Sequence, residues 1–106
     1  MQDGTMLYKR DIVVINFPYS DLDGSKRRPV LILGEKLNDF IVCAITSNPD
    51  VKGSLLEFEE GDLPFKSSAK YWQIQTILKS RAEKTLAKIT KKCYDKIIKD
   101  INDLFK

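Results

Sequence analysis

The chain has 106 residues and a formal net charge of +3, with no histidine and two cysteines. This length suits one domain with a single core. The missing histidine and the wide spacing of Cys43 and Cys93 argue against a metal site, and no cofactor motif is present. No apolar run could span a bilayer and the first residues do not resemble a signal peptide, so a soluble, cytoplasmic protein is predicted.

The charge is unevenly distributed along the chain. Residues 79–106 contain nine Lys or Arg and four Asp or Glu, whereas residues 1–78 contain nine and eleven. A basic C-terminal third is typical of a surface that faces nucleic acid, but the solvated face of an amphipathic helix has the same composition. For this segment alone we prefer the solvated face.

Runs of β-branched and apolar residues predict six short strands. They are Asp11–Phe17, Pro29–Leu33, Phe40–Thr46, Ser54–Glu59, Ala69–Leu78 and Thr85–Ile89. The third strand is apolar at every position before Thr46, which indicates a central strand that is covered on both faces, with Cys43 as a buried thiol. The fourth alternates weakly and is predicted to be an edge strand. Residues 18–28 form a long loop, and such loops tend to be functional or mobile.

From Thr90 onward the apolar period becomes helical. A helix is predicted over residues 91–105, with Thr90 as its N-cap. Its apolar stripe consists of Cys93, Ile97, Ile98, Ile101, Leu104 and Phe105. Because only the sheet can cover this stripe, the chain is predicted to be a single domain over residues 1–106, mainly β with a C-terminal helix, as a small barrel or a strongly bent antiparallel sheet.

The strongest candidate site combines Arg28 with Thr46. The residue before a proline is held extended, so Pro29 limits the directions in which Arg28 can point. A guanidinium binds phosphate oxygens through two parallel donors, and Lys26 and Arg27 add positive potential. Thr46, together with Ser47 and Asn48, would supply neutral donors if the two strands pair. Alone, each segment also fits a plainer reading, as a solvated basic loop and as a strand exit bonded to its own turn.

The fifth strand offers candidates for contacts with bases. Aromatic side chains stack on unpaired bases and glutamines read base edges, which makes Trp72, Gln73 and Gln75 candidates, with Lys70 as a weaker basic one. Sheet packing is the alternative. Because Tyr71 and Trp72 are neighbours on a strand, one should face inward and the other outward.

These motifs resemble the MazF/PemK family of toxins from bacterial toxin–antitoxin pairs. The resemblance covers roughly residues 8–105. It rests on Asp11-Ile-Val-Val-Ile-Asn-Phe-Pro, Gly24-Ser-Lys-Arg-Arg-Pro-Val-Leu-Ile-Leu and Ala44-Ile-Thr-Ser-Asn, with weaker support from Gln73-Ile-Gln-Thr-Ile and from Lys88-Ile-Thr before a helix.

The resemblance implies an SH3-like barrel, usually a homodimer, that cuts single-stranded RNA without metal or cofactor. In such enzymes the ribose 2′-hydroxyl attacks the adjacent phosphodiester and leaves a cyclic phosphate. Arg28 would then stabilise the developing charge and Thr46 would hold the phosphate, in agreement with the chemistry of preplaced donors. The 18–28 loop would border the RNA groove, which a cognate antitoxin would block.

The chain departs from the family pattern at several positions. Arg10 precedes Asp11 where the family usually has glycine, and Gln75 stands where an arginine often precedes Thr-Ile. Lys70 and Trp72 occupy positions where some members have an arginine and an acid. Two alternatives therefore stay open: a module of the same shape that poisons a protein target such as gyrase or acts as an inactive regulator, and a nucleic-acid-binding barrel without chemistry.

Overall fold

A computed structural model describes residues 6–18 and 25–106 of the chain. Within them the strands are β1 Asp11–Pro18, β2 Ser25–Lys36, β3 Asp39–Thr46, β4 Ser54–Leu55, β5 Phe58–Gly61, β6 Ser68–Leu78 and β7 Ala82–Ile89, and the helix α1 is Lys91–Asp103. β2 is longer than predicted and takes in residues 25–28 of the predicted loop, because these residues pair with β1. Residues 19–24 of that loop lie outside the described residues.

The strands form one antiparallel sheet in the order β4-β6-β3-β2-β1-β7-β5. β4 and β5 are its two edges, yet only Leu56 and Glu57 separate them along the chain. Three residue steps span at most about 11 Å, so the two edges must lie close together. The sheet is therefore curled almost into a barrel, which confirms the predicted mainly β architecture.

The start of α1 lies against the link between the two edges. Thr90 donates its backbone N–H to the Glu57 carbonyl at 2.9 Å, and the Cys93 thiol donates to the Leu55 carbonyl at 3.4 Å. Thr90 Oγ1 accepts the Cys93 N–H at 3.0 Å, so the predicted N-cap is confirmed. We call this junction of Ser54, Leu55, Glu57, Cys93 and Asp100 the helix seam.

The central strands are buried on both faces. In β2, Val30 and Ile32 belong to one apolar cluster while Leu31 and Leu33 belong to another. The first cluster contains Val13, Ile15, Val30, Ile32, Phe40, Val42 and Ile77. The second contains Ile12, Leu31, Leu33, Cys43, Ala69, Ala87, Ile89, Cys93 and Ile97, and so receives the apolar stripe of the helix. The prediction that β3 is covered on both faces is confirmed.

Cys43 is fully buried within β3. Burial raises the pKa of its thiol to about 12, so the sulfur stays protonated and serves as a small apolar group. The predicted buried thiol is confirmed. Among the described residues, no helix has both the length and the apolar content needed to cross a membrane.

The prediction of one continuous fourth strand over Ser54–Glu59 was wrong, because this stretch forms two separate strands, β4 and β5. Ser54 and Leu55 pair with β6 at one edge, whereas Phe58–Gly61 pairs with β7 at the other. The reason is the curl of the sheet, because this stretch of chain crosses from one edge to the other. The helix also ends earlier than predicted, and Leu104 and Phe105 beyond it are 50% and 82% exposed.

Arg10, directly before β1, adopts a backbone conformation that favours glycine. Its φ is 82°, a region that costs a residue with a side chain some strain. Its Nη1 donates to Glu59 Oε1 at 3.1 Å and to the Ile89 carbonyl at 3.3 Å. The guanidinium of Arg10 thus connects the start of β1 to β5 and β7.

Asp11, the first residue of β1, is buried to 4% exposure. It accepts the Tyr8 N–H at 2.8 Å and pairs with Lys88 Nζ at 2.9 Å.

Candidate functional site

Arg28 and Thr46 lie at the same end of two neighbouring strands. Val30 of β2 is paired with Ala44 of β3. The pairing of β2 with β3 ends there, and Arg28 precedes Val30 by two residues while Thr46 follows Ala44 by two, so the alternation of side chains puts both on the same face. Both residues therefore flank the point where the pairing of β2 with β3 ends.

The register extends this arrangement to β6. Thr46 is paired with Ser68, which is buried to 7% exposure. Thr46 and Ser68 are thus paired neighbours, and Arg28 lies at the same end and on the same face of the sheet; we call these three residues the strand-end row. A guanidinium lies at one end of this row and two hydroxyl side chains follow it. Ser68 was not recognised in the sequence, because only the pairing of β3 with β6 places it beside Thr46.

The turn after β3 is held by its own side chains. Thr46 Oγ1 accepts the Asn48 N–H at 3.1 Å, and Asn48 Oδ1 accepts the Asp50 N–H at 2.9 Å. A hydroxyl has one hydrogen to donate besides its acceptor sites, and an amide side chain has two. Both side chains therefore order the turn as acceptors and keep donors for an anion, while Ser47 beside them is exposed.

Lys26 and Arg27, the two cations that precede Arg28, are not members of the strand-end row. Arg27 is next to Arg28 on the strand and so projects from the other face, where Glu83 Oε1 accepts from its Nε at 3.1 Å and also pairs with its Nη2. Its charge is thus partly balanced by that carboxylate. The backbone of Lys26 pairs with Phe17, but its side chain lies outside the described residues.

β6 is irregular next to the strand-end row. Lys70 is paired with Ala44, whereas Ile74 is paired with Cys43. Three residues of β6, Tyr71 to Gln73, therefore stand opposite a single step of β3. Such bulges redirect side chains and often lie beside active sites. Lys70 projects from the same face as Ser68, because the two residues are two apart on the strand.

Tyr71 and Trp72 of β6 face in opposite directions, as predicted. Tyr71 packs against the cluster under the helix, whereas Trp72 is 42% exposed. Their rings meet edge to face, with centroids 5.0 Å apart. Gln73 and Gln75 are exposed, and Gln75 is paired with Val42, further along the strand from the row. The structure brings Lys70 next to the row and leaves Gln75 away from it.

A groove of about 630 Å³ opens beside the row. It lies between the turn after β3 and the segment that leads into β6. Its lining consists of Thr46, Ser47, Asn48, Pro49, Val51, Lys52, Gly53, Leu55, Phe65, Lys66, Ser67 and Ser68. We call it the Phe65 groove. Sequence reasoning missed Phe65 and Lys66, although an aromatic residue directly after a proline in a polar turn is a recognisable signal.

Acidic and sulfur ligands do not come together in the described part of the chain. Within residues 6–18 and 25–106, no three side chains of His, Cys, Asp or Glu are close enough to share a metal ion. The residues of the strand-end row offer fixed positive charge, at Arg28, and neutral hydrogen-bond donors, at Thr46 and Ser68.

The fold is that of solved MazF toxins. The chain superimposes on a structure of MazE–MazF from Deinococcus radiodurans with a TM-score of 0.76, at 18% identity, over 96% of this chain and 97% of that chain. The toxin MazF-mt6 of Mycobacterium tuberculosis matches with a TM-score of 0.67, at 20% identity, over 91% and 96%.

A third similar structure is an endoribonuclease in complex with its cognate antitoxin from a mycobacterial species. It matches with a TM-score of 0.68, at 16% identity, over 92% of this chain and 93% of that chain. At these identities the similarity establishes the fold alone. No curated protein sequence matches the chain.

The sequence itself identifies the family. Residues 8–105 match the model of the PemK-like, MazF-like toxins of type II toxin–antitoxin systems. This stretch includes every strand, the helix and all members of the strand-end row. The chain therefore belongs to the MazF/PemK toxin family.

Proposed function

We propose that this protein is the toxin of a toxin–antitoxin pair and that it cleaves single-stranded RNA in the cytoplasm without a metal ion. The observation that carries the proposal is the strand-end row. A permanently charged guanidinium, at Arg28, lies at the same end and on the same face of the sheet as the paired residues Thr46 and Ser68. Preplaced donors of this kind stabilise the charge that develops on a phosphate during cleavage.

The reaction we propose is an internal transesterification. The 2′-oxygen of one ribose forms a bond to the adjacent phosphorus, and the bond from phosphorus to the 5′-oxygen of the next nucleotide breaks. The 2′-hydroxyl gives up its proton and the departing 5′-oxygen takes one, so the products are a 2′,3′-cyclic phosphate and a 5′-hydroxyl. Arg28 stabilises the pentavalent dianion and Thr46 donates its hydroxyl hydrogen to a phosphate oxygen.

The remaining candidates bind the RNA strand on either side of the cut. Lys70 lies on the face of the row and is suited to a neighbouring phosphate. Ser47 and Asn48 supply neutral donors from the turn, and Trp72 supplies an exposed aromatic surface. We assign the same binding role, at greater distance from the row, to Lys26, Arg27, Gln73 and Gln75. The ion pair of Arg27 with Glu83 is exposed and therefore weak enough to yield to a phosphate.

Two protein partners belong to the proposal. Similar toxins have been solved together with MazE or with a cognate antitoxin, and an antitoxin would inhibit this protein by covering the RNA site. A second copy of the chain is the other partner. Apolar side chains on β6 support a homodimer, since Ile74 and Leu78 are 41% and 51% exposed. Sedimentation of the purified protein measures this directly.

The decisive experiment is digestion of mixed single-stranded RNA in EDTA, with analysis of the fragment ends. The wild-type protein is expected to give fragments that end in a cyclic phosphate. Arg28→Ala should lower the cleavage rate by at least about 100- to 1,000-fold, since it removes a donor that acts on the transition state. Its melting temperature should stay close to wild type, because Arg28 is exposed. Lys99→Ala, which removes an exposed cation from α1, is the matched control.

Cleavage at the wild-type rate by Arg28→Ala would overturn the mechanism. Salt-sensitive RNA binding with no cutting by the wild-type protein would instead support a nucleic-acid-binding module of the same fold. Growth arrest on expression without RNA cleavage would point to poisoning of a protein target.

A further inference from the structure

The Phe65 groove combines an apolar wall with positive charge. Phe65 and Leu55 are 70% and 65% exposed, although both line a concave surface, and Val51 lies beside them. Lys52 and Lys66 are the charged residues of the lining, which contains no Asp or Glu among the residues described. A lining that combines an exposed aromatic ring with two cations is typical of a surface on which a nucleic acid base stacks.

The position of the groove connects it to the strand-end row. Thr46 and Ser68 are members of the row and also line the groove. A phosphate that is held by the row therefore has its adjoining nucleotide beside the groove opening. The donors of Ser47 and Asn48 lie at the same rim, where they can reach the edge of a base.

We propose that the Phe65 groove binds the nucleotide next to the scissile phosphate, with the Phe65 ring stacked on its base and Lys52 and Lys66 close to its phosphates. This assignment deepens the proposed function and rests on it. The positive charge of the lining favours an anionic nucleic acid strand over an apolar peptide that has no acidic residues. The exposed ring of Phe65 favours a partner with a flat surface, such as a base.

The test is binding of a short, fluorescent pool of single-stranded oligonucleotides of random sequence that lack 2′-hydroxyls. These probes cannot be cut, since the attacking oxygen is absent, so fluorescence anisotropy reports binding alone. Phe65→Ala should weaken binding about 5- to 150-fold, the range expected for the loss of one stacked base. Phe65→Trp should bind at least as tightly as wild type. Phe65→Leu, which is apolar but not flat, should behave like the alanine variant.

Phe105→Ala is the matched control, because Phe105 is 82% exposed and lies beyond the end of α1. Its binding should equal that of wild type. In the RNA digest, Phe65→Ala should raise KM more than it lowers kcat, because the ring holds the strand rather than the reacting atoms. Fragment ends should also shift in base preference next to the cut.

Several results would overturn this inference. One is binding by Phe65→Ala within twofold of wild type, in which case RNA cleavage by the wild-type protein would still uphold the proposed function. Another is a Phe65→Ala variant that binds the probe normally but loses affinity for the antitoxin or for a second copy, which would assign the groove to that protein. Conversely, if binding of the probe depends on Phe65 but the wild-type protein cleaves no RNA, the Phe65 groove would remain a nucleic-acid-binding site and the proposed nuclease activity would be refuted.

Discussion

Polar side chains behave differently in the helix seam and in the strand-end row. In the seam, Asp100 accepts from Ser54 Oγ at 2.5 Å and from Lys96 Nζ at 2.9 Å, and Ser54 is only 6% exposed. In the row, Thr46 uses an acceptor site to order its turn and keeps its hydroxyl hydrogen. The side chains of the helix seam are hydrogen-bonded to one another and so stabilise the fold, whereas Thr46 retains a donor that a ligand can use. Substitutions in the two regions should therefore separate stability from activity.

The largest effect is expected from the apolar core that the helix closes. Ile97 of α1 is fully buried against the sheet, so Ile97→Ala should lower the free energy of unfolding by about 2–5 kcal/mol. Urea titration measures the change. Leu104→Ala is the control, because Leu104 at the end of the same helix is 50% exposed and its truncation should cost clearly less. Equal losses in the two variants would contradict the assignment of the helix to the core.

A smaller effect, measured as the rate of RNA cleavage, is expected from the strand-end row. Thr46→Val keeps the shape of the side chain and removes the hydroxyl, so RNA cleavage should slow about 10- to 100-fold, as expected for one hydrogen bond to a charged group. Thr46→Ser retains the hydroxyl and should stay near the wild-type rate. Thermal melting checks that both variants are folded. A valine variant as fast as the serine variant would exclude a donor role for this hydroxyl.

The smallest expected effect is the change with pH in the stability that Asp100 of the helix seam contributes. Burial acts to raise the pKa of Asp100, but hydrogen bonds from Ser54 and Lys96 outweigh it and hold the pKa below its ordinary value. The folded state therefore binds fewer protons than the unfolded state. The stabilisation is complete above the ordinary aspartate pKa of about 3.9 and is lost as the pH falls through the lower folded value.

Unfolding of the wild-type protein and of Asp100→Asn, followed by urea titration at pH 7 and in acid, measures this contribution. We expect a difference at pH 7 of at most about 1 kcal/mol, which shrinks in acid. Asp95→Asn, a change in an exposed pair of the same helix, is the control. A difference that grows on acidification would reverse the sign and refute the argument.

Much of the fold could be predicted because its signals are local. The alternation of β1, the apolar run of β3 and the stripe of α1 each follow from side-chain periodicity, and the N-cap at Thr90 follows from the chemistry of its hydroxyl. The split of the predicted Ser54–Glu59 strand could not be predicted in this way. Its two halves pair with strands on opposite edges, and only the curl of the sheet brings those edges together.

The sequence by itself determined the mainly β architecture and the family. It also singled out Arg28 and Thr46 as candidate site residues, because the restriction before Pro29 and the polar end of an apolar strand are properties of neighbouring residues. Only the tertiary structure decided that Ser68 completes the row and that Phe65 and Lys66 open a groove beside it. These residues are distant from Arg28 in sequence, and the register between β3 and β6 is what joins them.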